Sequence, residues 1–291
     1  MKGKSDSWQS AHPPKVLPGH IRKLALIGAG KLGEGLLTGV LGSQFIPVSH
    51  VEVTVEHQRD ADSLRERYGV KAHTNNPQAV SGADLVLICL KPQQVKGVLL
   101  EVKKHLRKDA LIISAAASVT TAFIERHLGR PARVVRAMPN TPCLIRQGMT
   151  ALARGQHATD EDIQIAQAIF GAMGRIVVVD EKHMDAITGL SASGPAYVYT
   201  IIEALAEGGV KMGLPRDLAT ELTAQTLLGA SAMVLQTGEH PAKLKDVVTT
   251  PAGCTIDGLL ELEEGGLRVT LIKAVVKAAC RAKQLVESQN S

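Results

Sequence analysis

Near its start the chain passes from an apolar run directly into spaced glycines, Leu24-Ala25-Leu26-Ile27-Gly28-Ala29-Gly30-Lys31-Leu32-Gly33. The aliphatic residues suit a buried strand, and the G-x-G-x-x-G spacing suits the turn that feeds such a strand into a helix. In that geometry Gly28 makes the tight turn, Gly30 lets backbone approach a diphosphate, and Gly33 packs helix against strand. The helix N-terminus adds unpaired N–H groups and the positive end of the dipole, which phosphate oxygens require. The chemistry indicated is dinucleotide binding.

A second apolar run ends Val55-Glu56-His57-Gln58-Arg59. An acid here hydrogen-bonds a ribose diol and favours NAD, whereas an arginine suits the 2′-phosphate of NADP. The chain offers both Glu56 and Arg59, so the choice between NADH and NADPH stays open; Arg59 reads equally as a surface charge leading a helix. A third run, Leu87-Ile88-Cys89-Leu90-Lys91-Pro92-Gln93, ends in a cation and a stiffening proline. Strand carboxyl ends are where open α/β sheets hold ligands, so Lys91 and Pro92 are cofactor-site candidates. Ser114-Ala115-Ala116-Ala117 follows the next run, with side chains small enough for backbone to pass a flat ring.

The most informative stretch lies late, at Thr249-Thr250-Pro251-Ala252-Gly253-Cys254-Thr255 before the apolar Ile256. Threonines, proline and glycine make a loop that runs into a helix. Such a loop presents backbone amides to an anion and hydroxyls as donors, and Thr250, Gly253 and Thr255 are its candidates. A plain capping turn would account for Thr255 alone. Cys254 would be a nucleophile only with a basic partner, and none stands nearby in sequence, so a packed or loop thiol is the reading.

Positioning these residues requires two halves of different grammar. From 21 to 180 short aliphatic runs alternate with helical patterns such as Gly33–Leu41, Asp60–Tyr68 and Asp160–Met173, the last led by a Thr159–Asp162 cap. The runs lack polar alternation, as strands buried on both faces do, which predicts a doubly wound parallel α/β sheet with right-handed crossovers. From 181 to 291 the strands stop and the chain reads as helices: Asp185–Leu190, Pro195–Met212, Arg216–Thr237, Pro241–Val247, Thr255–Glu264 and Arg268–Ser288. An all-α half with so much small and apolar surface is most simply buried against a second copy, giving a homodimer; a self-contained bundle is the alternative.

Composition narrows the class. Net charge is +5, but the cations are interleaved with acids and aromatics are 2% of the chain, so no stacking platform for nucleic acid is expected. The four cysteines form no C-x-x-C pair and the histidines do not cluster, which predicts reduced thiols, no metal and a cytoplasmic protein. No uninterrupted apolar run has the length of a membrane span, so no membrane partner is expected. Residues 1–20 lack a signal-like apolar segment and read as a flexible extension.

Four stretches together resemble the pyrroline-5-carboxylate reductase family: the Thr249–Thr255 loop, Leu190-Ser191-Ala192-Ser193-Gly194-Pro195-Ala196-Tyr197, Gly209-Val210-Lys211-Met212-Gly213-Leu214-Pro215 and Arg136-Ala137-Met138-Pro139-Asn140-Thr141-Pro142. The resemblance runs from Ile21 to about Leu285. It implies reduction of 1-pyrroline-5-carboxylate to L-proline, the last step of proline biosynthesis, by a Rossmann domain followed by a helical dimerisation domain. It also implies NADPH or NADH as cofactor and assembly as dimers, often in rings. By the same resemblance Ile27, Gly28, Ala29, Gly30, Lys31, Leu32 and His57 contact the dinucleotide, and Asn76, Lys91, Ala115 and Ala117 line the rest of its site. Glu181, Cys254 and Thr255 correspond to substrate contacts, with the Thr255 hydroxyl orienting the ring nitrogen. The sequence departs from the family where Ala192 and Ala252 replace glycines, and Ala252 restricts a backbone that needs positive φ.

Two rival readings are weaker. β-Hydroxyacid dehydrogenases share the architecture but resemble one another in a Lys and an Asn on the helix after a glycine-rich turn, and Pro195–Glu203 has neither. A dinucleotide-binding sensor without turnover would not need the Thr249–Thr255 loop.

Overall fold

The computed structural model describes residues 21–290; the expected extension, 1–20, lies outside the described residues. The first half contains β1 (Leu24–Ile27), α1 (Lys31–Gly42), β2 (Val51–Thr54), α2 (Gln58–Tyr68), β3 (Lys71–His73), α3 (Asn76–Val80), β4 (Leu85–Ile88), α4 (Pro92–Val102), β5 (Leu111–Ser114), α5 (Thr121–Leu128), β6 (Arg133–Met138), β7 (Gly148–Arg154), α6 (Asp160–Gly171) and β8 (Gly174–Val179). The strands form one sheet in the order β3-β2-β1-β4-β5-β6-β7-β8.

Every residue of β1, β2, β4 and β5 is buried. Successive side chains enter different cores, as a pleated strand covered on both faces requires. Leu24 and Leu26 join Leu36, Val53 and Phe170 on one face, while Ala25 and Ile27 join Ile88, Leu99 and Phe123 on the other. The order reverses between β1 and β4, which places the glycine turn at the switch point where such sheets bind ligands.

The sheet is not wholly parallel. β6 and β7 are antiparallel, whereas β7 and β8 are parallel to each other. The β6–β7 connection holds only a short 3-10 turn, Thr141–Ile145, and cannot make the helical crossover that a parallel neighbour needs. The short strand β3 also escapes a pattern search, because an edge strand reading Lys-Ala-His has a single buried residue.

Beyond β8 the chain is helical: α7 (Met184–Ile187), a π-helical turn over Thr188–Ala192, α8 (Gly194–Lys211), α9 (Arg216–Thr237), α10 (Pro241–Val248), α11 (Cys254–Glu264) and α12 (Leu267–Asn290). Two compact units result. One runs through Ala192 and takes in the chain from Ala278 onward; the other is Ser193–Lys277. The division thus lies downstream of the 180/181 position read from the loss of strands, and the end of α12 belongs with the sheet. There Ala282 is buried and its carbonyl accepts from the Ser118 hydroxyl at 3.3 Å.

Within Ser193–Lys277, α8 packs on α9 through small residues, and a Cβ on Gly209 would stand 3.1 Å from the Ala219 methyl. Ala206 and Ala219 are the buried residues there among those described, while Leu222, Leu228, Met233, Leu235 and Leu260 are exposed. The 22-residue α9 is apolar enough by length and composition to cross a membrane, a property not visible as an uninterrupted apolar run.

Candidate active site

The three glycines of the first turn differ in what surrounds them. Gly28 has φ +90, and a Cβ there would meet the Cys89 carbonyl oxygen at 2.6 Å. A Cβ on Gly33 would lie 2.0 Å from the Gly28 oxygen, so the start of α1 can approach β1 only without one. A Cβ on Gly30 would meet nothing within 4 Å. Gly30 is the N-cap of α1, and no side chain caps that helix. The turn therefore leaves its first amides uncapped beside open space, an arrangement that fits a diphosphate. Around it Ile27 is buried, Ala29 and Leu32 are half-buried and Lys31 is exposed. Glu34, an acid in the first turn, is bound by the Tyr68 hydroxyl at 2.6 Å and by Arg67, and these two hydrogen bonds hold its carboxyl below its ordinary value.

A cleft of about 360 Å³ adjoins the turn, lined by Ile27, Gly28, Glu56, Asn76, Gln94 and Glu101 among others. Asn76 donates to Glu101 at 3.0 Å. Glu56 lines this cleft, whereas Arg59 is exposed and paired with Asp60 at 3.5 Å, and His57 is the exposed N-cap of α2. Lys91 is exposed at the N-cap of α4 with Pro92 as first helical residue, and the Gln94 side chain accepts from the Lys91 backbone at 3.3 Å. After β5, Ala115 is buried and its amide donates to the Ile88 carbonyl at 2.8 Å, while Ala117 is half-buried. Cys89, behind the glycine turn, is partly buried against the core, and burial drives its thiol pKa far upward, with Cys143 adding to the shift.

Glu181 lies just past β8 and is thoroughly engaged. Its Oε1 accepts from the Thr121 amide at 2.9 Å and from Arg136 Nη1 at 3.4 Å, and its Oε2 accepts from the Thr121 hydroxyl at 2.7 Å. Arg136 is only 2% exposed. Sequence reading did not assign chemistry to Thr121 or Arg136. The available signal was a full charge inside the apolar strand Arg133-Val134-Val135-Arg136-Ala137-Met138.

The late loop lies within the second unit. Thr250, Pro251, Ala252 and Gly253 form a turn closed by the Gly253 amide donating to the Thr250 carbonyl at 3.0 Å. Ala252 occupies the third position with φ +57, a conformation that favours glycine. A Cβ on Gly253 would stand 2.5 Å from the Thr250 hydroxyl oxygen, so that hydroxyl folds over the glycine. Gly253 is then the N-cap of α11, again without a side-chain cap; Cys254 is exposed and Thr255 half-buried in the first turn. The loop thus brings Thr250, Gly253, Cys254 and Thr255 to one uncapped helix N-terminus. The other departure, Ala192, adds a methyl to a small cluster around Met138 and Met184.

Residues 181–285 match the family model described as pyrroline-5-carboxylate reductase dimerisation, and 23–118 match the model described as NADP oxidoreductase, coenzyme F420-dependent. The chain is 42% identical to pyrroline-5-carboxylate reductase of Arabidopsis thaliana over 272 residues, covering 94% of this chain and 98% of that one. Among solved structures, the pyrroline-5-carboxylate reductase of Coxiella burnetii superposes with a TM-score of 0.85 at 36% identity, covering 91% of this chain and 99% of that one. The Plasmodium falciparum pyrroline carboxylate reductase with NADP bound gives 0.83 at 29% identity, over 91% and 98%. With a matching dimerisation model and relatives matched over nearly their whole length, the chain belongs to the pyrroline-5-carboxylate reductase family.

Proposed function

We propose that this protein reduces 1-pyrroline-5-carboxylate to L-proline with NADPH or NADH. The observation that carries the reading is the open, uncapped start of α1 at Gly30, a cradle that a Cβ would fill and that suits a dinucleotide diphosphate. Gly28 and Gly33 shape that turn, and Glu56 and Asn76 line the adjoining cleft. When bound, the reduced dinucleotide supplies the hydride that the imine carbon accepts.

The protein's part is binding and orientation. The amides at the start of α11 take the substrate carboxylate, helped by Thr250 and Gly253. The Thr255 hydroxyl hydrogen-bonds the ring nitrogen as it turns from imine to amine, with Cys254 beside it in the same helix turn; Glu181, in the first unit, is read on its own as a substrate contact. A protonated pyrroline is already electrophilic, so no general acid is assigned.

The exposed apolar residues of Ser193–Lys277 lie within the matched dimerisation region, and we read that surface as the face that a second copy covers, including α9. A ring of dimers extends the same reading. The free, exposed thiols of Cys254 and Cys280 suit a reducing compartment, the cytoplasm.

Product analysis tests the reaction. Incubation with NADPH and racemic pyrroline-5-carboxylate, followed by chiral chromatography, is expected to yield L-proline alone. Dinucleotide consumed without proline would contradict the substrate assignment.

A further inference from the structure

We propose that Thr121 and Arg136 are positioning residues for substrate binding, acting through the Glu181 carboxylate. The inference rests on the reading that Glu181 touches the substrate. A glutamate at the exit of a strand is ordinarily free to rotate, yet here three hydrogen bonds from two residues fix it: the Thr121 amide at 2.9 Å and Arg136 Nη1 at 3.4 Å on Oε1, and the Thr121 hydroxyl at 2.7 Å on Oε2. A carboxylate oxygen accepts two hydrogen bonds. Oε1 is filled, and Oε2 keeps one place for a further donor.

Arg136 marks the arrangement as more than a helix cap. The guanidinium is 2% exposed, two of its nitrogens, Nε and Nη2, have no hydrogen-bond partner, and Nη2 stands 4.0 Å from Asp185 Oδ1, itself without one. Capping α5 needs only the Thr121 amide. A buried and incompletely paired arginine is costly, and its position explains it only if the orientation and charge of Glu181 matter.

The test is steady-state kinetics of Thr121→Val, Thr121→Ser and Glu181→Gln at saturating NADPH, with NADPH affinity measured separately by fluorescence titration. Thr121→Val keeps shape and backbone amide but removes the hydroxyl, and its KM for pyrroline-5-carboxylate is expected to rise about tenfold. NADPH affinity stays unchanged, and Thr121→Ser restores the wild-type KM. If Glu181→Gln raises KM while Thr121→Val does not, the positioning role is overturned. If Glu181→Gln itself keeps the wild-type KM, the reading of Glu181 as a substrate contact fails first. Parallel loss of NADPH affinity in Thr121→Val would mark a merely structural role and overturn the proposal. Should Thr121→Val not fold, Arg136→Lys carries the same expectation of raised substrate KM with unchanged NADPH affinity, and a wild-type KM there overturns it.

Discussion

A hydroxyl that only orients a substrate can be removed with little cost to the fold. Thr255 lies in the first turn of α11, half-buried, and no side chain caps that helix. Thr255→Ala is expected to leave the circular dichroism spectrum and thermal midpoint within the range of a surface substitution, and to lower kcat/KM for pyrroline-5-carboxylate by roughly tenfold to a hundredfold. Wild-type kcat/KM would remove Thr255 from the mechanism. Three residues upstream in the same loop, Ala252 holds φ +57, which costs an L-residue about 1 kcal/mol or more. Ala252→Gly relieves that strain, offset in part by the looser unfolded chain, and is expected to raise Tm by about 1–2 °C. A lowered Tm would show that the loop does not need glycine there. The demand for positive φ was readable from a family pattern, whereas the Thr121–Arg136 hold on Glu181 was not. Those contacts join residues 60 and 45 positions apart, and local spacing carries no trace of them.

At the scale of elements, the glycine turn separates fold from function in two substitutions. Gly33→Ala forces a methyl to 2.0 Å from the Gly28 carbonyl oxygen and is expected to cost roughly 2–4 kcal/mol of stability in denaturant unfolding. Gly30→Ala enters open space, so it should leave stability within about 1 kcal/mol yet weaken dinucleotide affinity about tenfold. Equal effects of the two on stability would contradict the assignment of roles. The start of α6 predicts a pH dependence. Burial pushes the Asp162 carboxyl up, but hydrogen bonds from Arg133 and the Thr159 backbone outweigh it and leave its pKa below the ordinary aspartate value. A depressed folded pKa stabilises fully above the unfolded value and is lost as pH falls through the folded one, so this contribution is whole above about pH 5 and disappears in stronger acid. Asp162→Asn should therefore cost more stability at neutral pH than in acid, and urea midpoints showing the same deficit at both would contradict it. Buried strands such as Leu85–Ile88 were legible because both faces are covered and alternation vanishes. The antiparallel turn from β6 to β7 was not, because the length and shape of a connection decide pairing direction while the strand composition stays the same.

The chain divides into a unit built on the sheet, which carries the Gly28–Gly33 turn, and a helical unit, which carries the Thr250–Thr255 loop. The division into a strand–helix half and an all-helical half was visible in the residue pattern. The return of α12 from Ala278 onward was not, since a continuous helix gives no sign of changing neighbours along its length. The exposed Leu222, Leu228, Met233 and Leu235 of α9 explain why so apolar a helix exists in a chain of this family: it is a face that folding of one copy leaves uncovered. The central claim is the reaction itself. The measurement that tests it most directly is the initial rate of NADPH and of NADH oxidation with 1-pyrroline-5-carboxylate as the varied substrate. Saturable, substrate-dependent oxidation of at least one dinucleotide is predicted, and the ratio of the two kcat/KM values reports whether Glu56 or Arg59 governs cofactor choice. Folded protein that binds dinucleotide but oxidises neither in the presence of pyrroline-5-carboxylate would contradict the account.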